Sequence, residues 1–259
     1  MDWLSTLAGF LVGAIVGLTG VGGGSLMSPL LILMFGVAPA TAVGTDLWFA
    51  AITKVAGGAM HHRQDNTDWQ IVKRLCWGSL PAVGLTLWWL SAHGRTAEKN
   101  GLIVTTLGVA LLLSGLATPF RRALAARFAR ADGARTQAFL RWQPALTVAA
   151  GALLGTLITL TSVGAGALGA TLLLLLYPLR LTARRLVGTD IVHAVPVALI
   201  GGIGHALIGN IDLRLLGALL LGSIPGVLLG ARLTGYLPER FVTPALAVVL
   251  VIVGARLLL

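Results

Sequence analysis

The chain has 259 residues, 56% of them hydrophobic and 11% charged, with mean hydropathy +0.90 and 34 glycines outside the hydrophobic count. A soluble domain averages about 45–50% apolar residues, glycine included, and about 25% charged ones, so a soluble enzyme, a disordered chain and a nucleic-acid module are excluded. A polytopic, all-α membrane protein remains. Its formal charge of +10 is then read as cytoplasmic loop residues, with no nucleic acid as partner, and the single Cys76 permits no intramolecular disulfide.

A helix needs about 20 residues to cross a ~30 Å hydrocarbon core, which caps the chain at nine or ten crossings. Apolar stretches fall at 3–20, 25–36, 39–60, 70–91, 99–118, 143–160, 166–177, 184–204, 213–231 and 241–259. In lipid an open chain satisfies its backbone groups only as helix, so about 8–10 helical segments are expected. The opening MDWLSTLAGF lacks a basic leader and is read as a retained first span. Two stretches, 25–36 and 166–177, are too short to cross at ~1.5 Å per residue. Each follows a glycine-rich break, GVGGG (20–24) and SVGAG (162–166). Short, glycine-interrupted pieces at matching places in two halves mark broken or re-entrant helices.

The two halves match residue by residue. Val43-Gly44-Thr45-Asp46-Leu47 returns 144 residues later as Val187-Gly188-Thr189-Asp190-Ile191. The same offset carries Gly57, Gly58 and His61 onto Gly201, Gly202 and His205. It also carries Asn66 and Asp68 onto Asn210 and Asp212, and Gly78-Ser79-Leu80-Pro81 onto Gly222-Ser223-Ile224-Pro225. Upstream the offset becomes 142, placing Thr19, Val21, Gly22 and Gly24 on Thr161, Val163, Gly164 and Gly166. Chance does not keep Asp, Asn and His in step, so a duplicated unit is expected: residues 1–118 as the first membrane repeat, 119–141 as a basic linker, 142–259 as the second repeat.

Charge orients the repeats. Residues 119–141 hold Arg121, Arg122, Arg127, Arg130, Arg135 and Arg141 against the one acid Asp132, which places this linker in the cytoplasm. Tracing outward puts the N-terminus outside, Arg63, Lys73 and Arg74 inside, and Arg180, Arg184 and Arg185 inside. The loop at 61–69 is basic while its copy at 205–213 is not, so the halves are expected to be inverted, as in many secondary transporters.

Glycine breaks let a ligand approach the main chain, and a restarting helix aims free N–H groups and its positive end at whatever sits there. A small anion held between two such breaks would touch Thr19, Gly20, Gly22, Gly23, Gly24 and Ser25 from one and Thr161, Ser162, Gly164 and Gly166 from the other, with Thr45 and Thr189 beside them. The competing reading is tight helix packing through small-xxx-small spacing, as at Gly9, Gly13 and Gly17. Gly164, Gly166 and Gly169 also spell G-x-G-x-x-G, but a membrane helix precedes them where a dinucleotide site needs a strand.

Asp46 and Asp190 are the acids well inside predicted spans, where an ionisable residue is functional by default. They would carry protons or cations, or they would brace the broken helices. His193, one turn beyond Asp190, would extend a proton relay in that half alone, since Phe49 is its counterpart. Lys54 is expected to snorkel to the interface. His61 and His62 lack companions for a metal site, and Trp3, Trp69, Trp77, Trp88, Trp89 and Trp142 read as interfacial anchors. No metal and no cofactor are expected.

The segment GVGGGSLMSPLLIL (20–33), with VGTDI (187–191) and LLGSIPGVLLGARL (220–233), resembles the TauE/SafE family of sulfite exporters over nearly the whole chain. The resemblance implies a multi-pass transporter of the bacterial inner membrane for small sulfur-containing or organic anions such as sulfite, thiosulfate and sulfonates. It places the anion at Gly20, Gly22, Gly23 and Gly24 and at Ser162, Gly164 and Gly166. Two positions depart from the pattern: Ala165 replaces the middle glycine of the second break, and Thr171 stands where a proline is usual. An alternating-access transporter is the leading expectation. A passive anion channel or facilitator is the alternative, and association into a homo-oligomer is left open. A membrane-embedded enzyme would need an H-E-x-x-H, a G-x-S-x-G or another nucleophile–base set, and neither motif is present.

Overall fold

The computed structural model describes residues 3–19, 24–63, 65–93, 97–129, 133–178, 180–233 and 239–259. These form ten helices and no strand: α1 (Trp3–Thr19), α2 (Gly24–Phe35), α3 (Pro39–Arg63), α4 (Trp69–Ala92), α5 (Ala97–Ala129), α6 (Gly133–Thr161), α7 (Ala167–Leu176), α8 (Ala183–Leu207), α9 (Leu213–Leu233) and α10 (Glu239–Leu258). Five stretches are long and apolar enough to cross a membrane, in α4, α5, α6, α8 and α9. At ~1.5 Å per residue the 12 residues of α2 and 10 of α7 rise only about 18 and 15 Å.

Eight helices start and stop within a few residues of the hydrophobic stretches. The exceptions are α5 and α6, which run into the basic segment 119–141 from either side and turn most of it into helix. Hydropathy marks where a chain leaves lipid. Ala, Leu and Arg, which fill ALAAR, are among the best helix formers, so these helices do not end where charge begins.

Polar caps set several helix starts. Asp68 accepts the Ile71 N–H at 3.2 Å ahead of α4, and its counterpart Asp212 accepts from Arg214 and Leu215 N–H at 3.0 Å each ahead of α9. Thr182 accepts the Arg185 N–H at 3.3 Å ahead of α8. Each satisfies N–H groups that a first turn leaves without partners.

The helices pair across the halves. α1 lies along α9, α4 along α6, α3 along α8 and α5 along α10. Exchanging α1–α5 for α6–α10 maps every one of these pairs onto another or onto itself, so the packing repeats as the sequence does. The halves are interlaced, because the first helix of each lies on the fourth of the other.

Small residues make the interlacing possible. A Cβ on Gly9 or Gly13 would overlap the backbone of Leu219 or Ser223 in α9. At the equivalent contact, a Cβ on Gly151 or Gly155 would overlap Leu75 or Ser79 in α4. The small-residue spacing read at Gly9 and Gly13 therefore packs helices, and it has a twin in α6.

The distribution of polarity is that of a membrane protein. Ser28, Thr45, Asp46, Lys54, Ser79, Thr189, Asp190 and His193 are buried, while Leu85, Trp77, Ile224, Leu228 and Ile252 stand exposed around the rim. Apolar surface that water would reject is at home in lipid tails. Trp3, Trp69, Trp88 and Trp142 are exposed too, as anchors must be. Trp48 instead turns inward and donates to the Gly202 carbonyl at 2.9 Å.

Overpacking a close helix contact costs about 1–3 kcal/mol. Gly155→Ile should therefore lower the thermal midpoint of the purified protein in detergent by several degrees. Gly84→Ala, at a position with open space, should leave it unchanged.

Candidate functional site

The second break is built by backbone conformations that few residues adopt. Ser162 has φ 59°, Gly164 φ 144° and Gly166 φ 107°, so glycine at the latter two avoids a steric cost. Thr161, the last residue of α6, donates its hydroxyl to the Leu157 carbonyl at 2.6 Å and accepts the Val163 N–H at 3.1 Å. The Gly169 N–H then closes on the Gly164 carbonyl at 2.7 Å, and α7 begins.

At this restart a carboxylate of the protein itself occupies the place where an anion was expected. Asp190 Oδ2 accepts the Gly166 N–H at 2.6 Å. Its other oxygen lies so close to Gly169 that a Cβ there would overlap it. The G-x-G-x-x-G spacing thus has a local cause: two glycines for the turn and a third for the carboxylate's approach.

The first half repeats the device with different donors. Asp46 Oδ2 accepts both the Ser28 N–H at 3.1 Å and the Ser28 hydroxyl at 2.6 Å, one turn into α2. Gly20, Gly22 and Gly23 lie outside the described residues. Thr19 closes α1 and Gly24 and Ser25 open α2; the side chains of Thr19, Ser25, His61 and His62 also lie outside what is described.

Thr45 and Thr189 are engaged with the opposite half. The Asp212 N–H donates to Thr45 Oγ1 at 3.1 Å, and the Asp68 N–H donates to Thr189 Oγ1 at 3.0 Å. These are the same bond made twice, since both residues shift together by the repeat offset. Gly44 lets the loop come this near, because a Cβ there would run into the Asn210 carbonyl. The two motifs that repeat most clearly, V-G-T-D and N-x-D, are thus each other's partners. Asp68 also receives Arg180 through Nε at 2.7 Å and Nη2 at 2.9 Å.

Between α3 and α8 the polar groups converge. His193 is fully buried and pairs through Nε2 with Ser79 Oγ of α4 at 3.0 Å. Ser162 comes near enough to act on the Asp46 charge, which joins the break of one half to the carboxylate of the other. Lys54 corrects the sequence expectation. Rather than snorkelling, it is 7% exposed and its ammonium acts on Asp190, Asp46 and His193. It lies on the face of α3 that packs against α8, where carboxylates offset the cost of its burial.

The expected set thus divides in two. Asp46, Asp190 and His193 are buried within reach of the Lys54 charge, with Ser162 beside Asp46 and Gly164 and Gly166 shaping the turn at Asp190. Thr45, Thr189 and Thr161 hold the framework through hydrogen bonds of their own. Sequence reasoning missed Ser28, Ser79 and Gly169 as partners, although each sat in a motif it had marked.

A family profile described as "Sulfite exporter TauE/SafE" matches residues 5–257. The chain is 37% identical over 260 residues to the probable membrane transporter protein YjnA of Bacillus subtilis, covering 97% of this chain and 98% of that one. It is 31% identical over 250 residues to the probable membrane transporter protein YdhB of the same organism, covering 94% and 97%. No solved structure is significantly similar.

A buried hydrogen bond contributes about 0.5–1.5 kcal/mol net. Thr45→Val and Thr189→Val should therefore each lower the thermal midpoint by a similar few degrees, with nearly additive effects in the double variant. Gly169→Ala should cost more than either, because backbone and carboxylate must both move. Equal midpoints for all of these variants and the parent would show that the cross-half bonds and the Gly169 approach hold nothing together.

Proposed function

The chain belongs to the TauE/SafE family of multi-pass membrane transporters, and from this we propose that it carries a small sulfur-containing or organic anion of the sulfite, thiosulfate or sulfonate class across the bacterial inner membrane by alternating access. The observation that carries this reading is the helix break at 162–166, where an N–H at the start of α7 is directed at a buried carboxylate, and what suits a carboxylate suits a sulfonate. The region is formed by both halves, Ser162 meeting Asp46 and α8 lying on α3, as a site at a repeat interface requires. Rocking of one interlaced half against the other would expose it to each side in turn.

In this reading Ser162 and the backbone of Gly164 and Gly166 bind the anion, while Gly20, Gly22, Gly23, Gly24 and Ser25 supply the other wall. Asp46, Asp190 and His193 serve coupling. The arginines of 119–141 face the cytoplasm, and the N-terminus lies outside.

Reconstituted protein should take up labelled sulfite, thiosulfate or methanesulfonate with saturable kinetics, and Ser162→Ala should raise the KM. Flux that rises linearly with concentration would identify a channel. Failure of all three anions to move would refute the substrate class.

A further inference from the structure

Two buried ionisable residues have no counterpart in the other half. At the offset that lays Asp46 on Asp190, Lys54 falls on Ala198 and His193 on Phe49. All four are buried: Lys54 and Ala198 where α3 and α8 pack, Phe49 in the cluster with Met27, Leu31 and Leu219, and His193 against Ser79 of α4. The duplicated chain therefore contains its own control: an alanine and a phenylalanine serve the packing, so the fold does not require an ammonium or an imidazole there. Buried charge is costly, and its presence in one half alone points to function.

The polar atoms around Lys54 are open. Among the described residues, Asp46 Oδ1, Asp190 Oδ1 and His193 Nδ1 are buried without a hydrogen-bond partner. No described residue stands at ion-pair distance from Lys54, although both carboxylates act on it. Other described ionisable groups of the helices packed on α3 and α8 are exposed or half-buried: Lys73 and Arg74 in α4, Arg141 in α6, Arg184 and Arg185 in α8, and Asp212, Arg214 and Arg232 at or in α9. Cys76 is half-buried in α4, and His205 is bonded to the Thr159 carbonyl at 2.9 Å.

An incoming anion and the Asp190 carboxylate want the same donor, the N–H at the positive end of α7. We propose that they compete for it: the substrate anion binds at the start of α7 only as Asp190 takes up a proton, with Lys54 as the fixed countercharge, which makes the protein an anion–proton symporter that needs no sodium. This rests on the anion-transport reading above. With Asp46, Asp190 and Lys54 all charged, the cluster carries one net negative charge. A monoanion alone would make that two; a proton on Asp190 restores it to one, and the pair crosses without net charge. The freed Gly166 N–H, the Ser162 hydroxyl and Lys54 then face the anion. Lys54 supplies the positive charge that a metal cation would otherwise bring to both carboxylates.

The test uses full-length protein in sodium-free liposomes, labelled methanesulfonate as probe and a trapped pH dye, with sulfite and thiosulfate in parallel. An inward proton gradient should drive uptake with matching acidification of the lumen, and a potassium–valinomycin potential should not drive methanesulfonate. Asp190→Asn, neutral at every pH, should still exchange anion but no longer respond to the proton gradient. Lys54→Ala should lose affinity by about tenfold or more in the protein that remains folded, and Lys54→Arg should recover part of it. Saturable uptake that ignores the proton gradient, that requires sodium, or that survives Lys54→Ala unchanged would overturn the symport proposal and leave the anion reading standing. No uptake of any of the three anions would overturn both.

Discussion

A helix that stops inside a membrane leaves N–H groups with no water to receive them. The interaction on which this structure depends is the acceptance of such groups by buried carboxylates, Asp190 at Gly166 and Asp46 at Ser28. Much else is arranged to deliver those carboxylates. α3 and α8, which carry them, pack on each other, Gly169 is bare so that Asp190 fits, and Ser162 bends through a left-handed conformation ahead of the restart of α7. Thr45 and Thr189, each next to its aspartate in sequence, tie α3 and α8 to the loops of the opposite half.

The interlacing follows from duplication under a lipid constraint. Hydrocarbon offers no hydrophobic drive for helices to associate, so close backbone packing has to hold them. Gly9 and Gly13 on α9, and Gly151 and Gly155 on α4, provide it twice with one solution. Because each contact joins first helix to fourth across the halves, neither half buries its small-residue face alone.

Much of this was legible in the sequence, and the limits have physical causes. Hydropathy located the helices because lipid demands apolar helix, and the breaks stood out because glycine runs interrupt it. The repeat was visible because Thr-Asp and Asn-x-Asp recur in step, but a repeat does not say what each copy touches. That Thr45 meets Asp212 is a pairing over a separation of 167 residues, and no local pattern encodes it. The helical ends within 119–141 are not legible from charge, because charge ends a crossing and not a helix. Lys54 was misplaced for a similar reason: an isolated lysine in lipid would snorkel, and only the fold reveals that Asp46 and Asp190 face it.

Symmetry also sorts the polar residues by what they do. Those kept in both halves, Thr45 with Thr189 and Asp46 with Asp190, have partners that are themselves related or stand at equivalent breaks, so framework and carboxylate seat come as a pair. Residues that break the symmetry do not share that explanation. Ser28 falls opposite Ala170, Lys54 opposite Ala198 and His193 opposite Phe49. Asp46 thereby gains a hydroxyl that Asp190 lacks, while Asp190 sits one helical turn from an imidazole. Two carboxylates that began as copies now stand in unequal surroundings, one held by two donors of a serine and one by a single backbone N–H. The less firmly held carboxylate is the one at the second break, which is why the proposed exchange with an anion is placed there although the first break has more glycine.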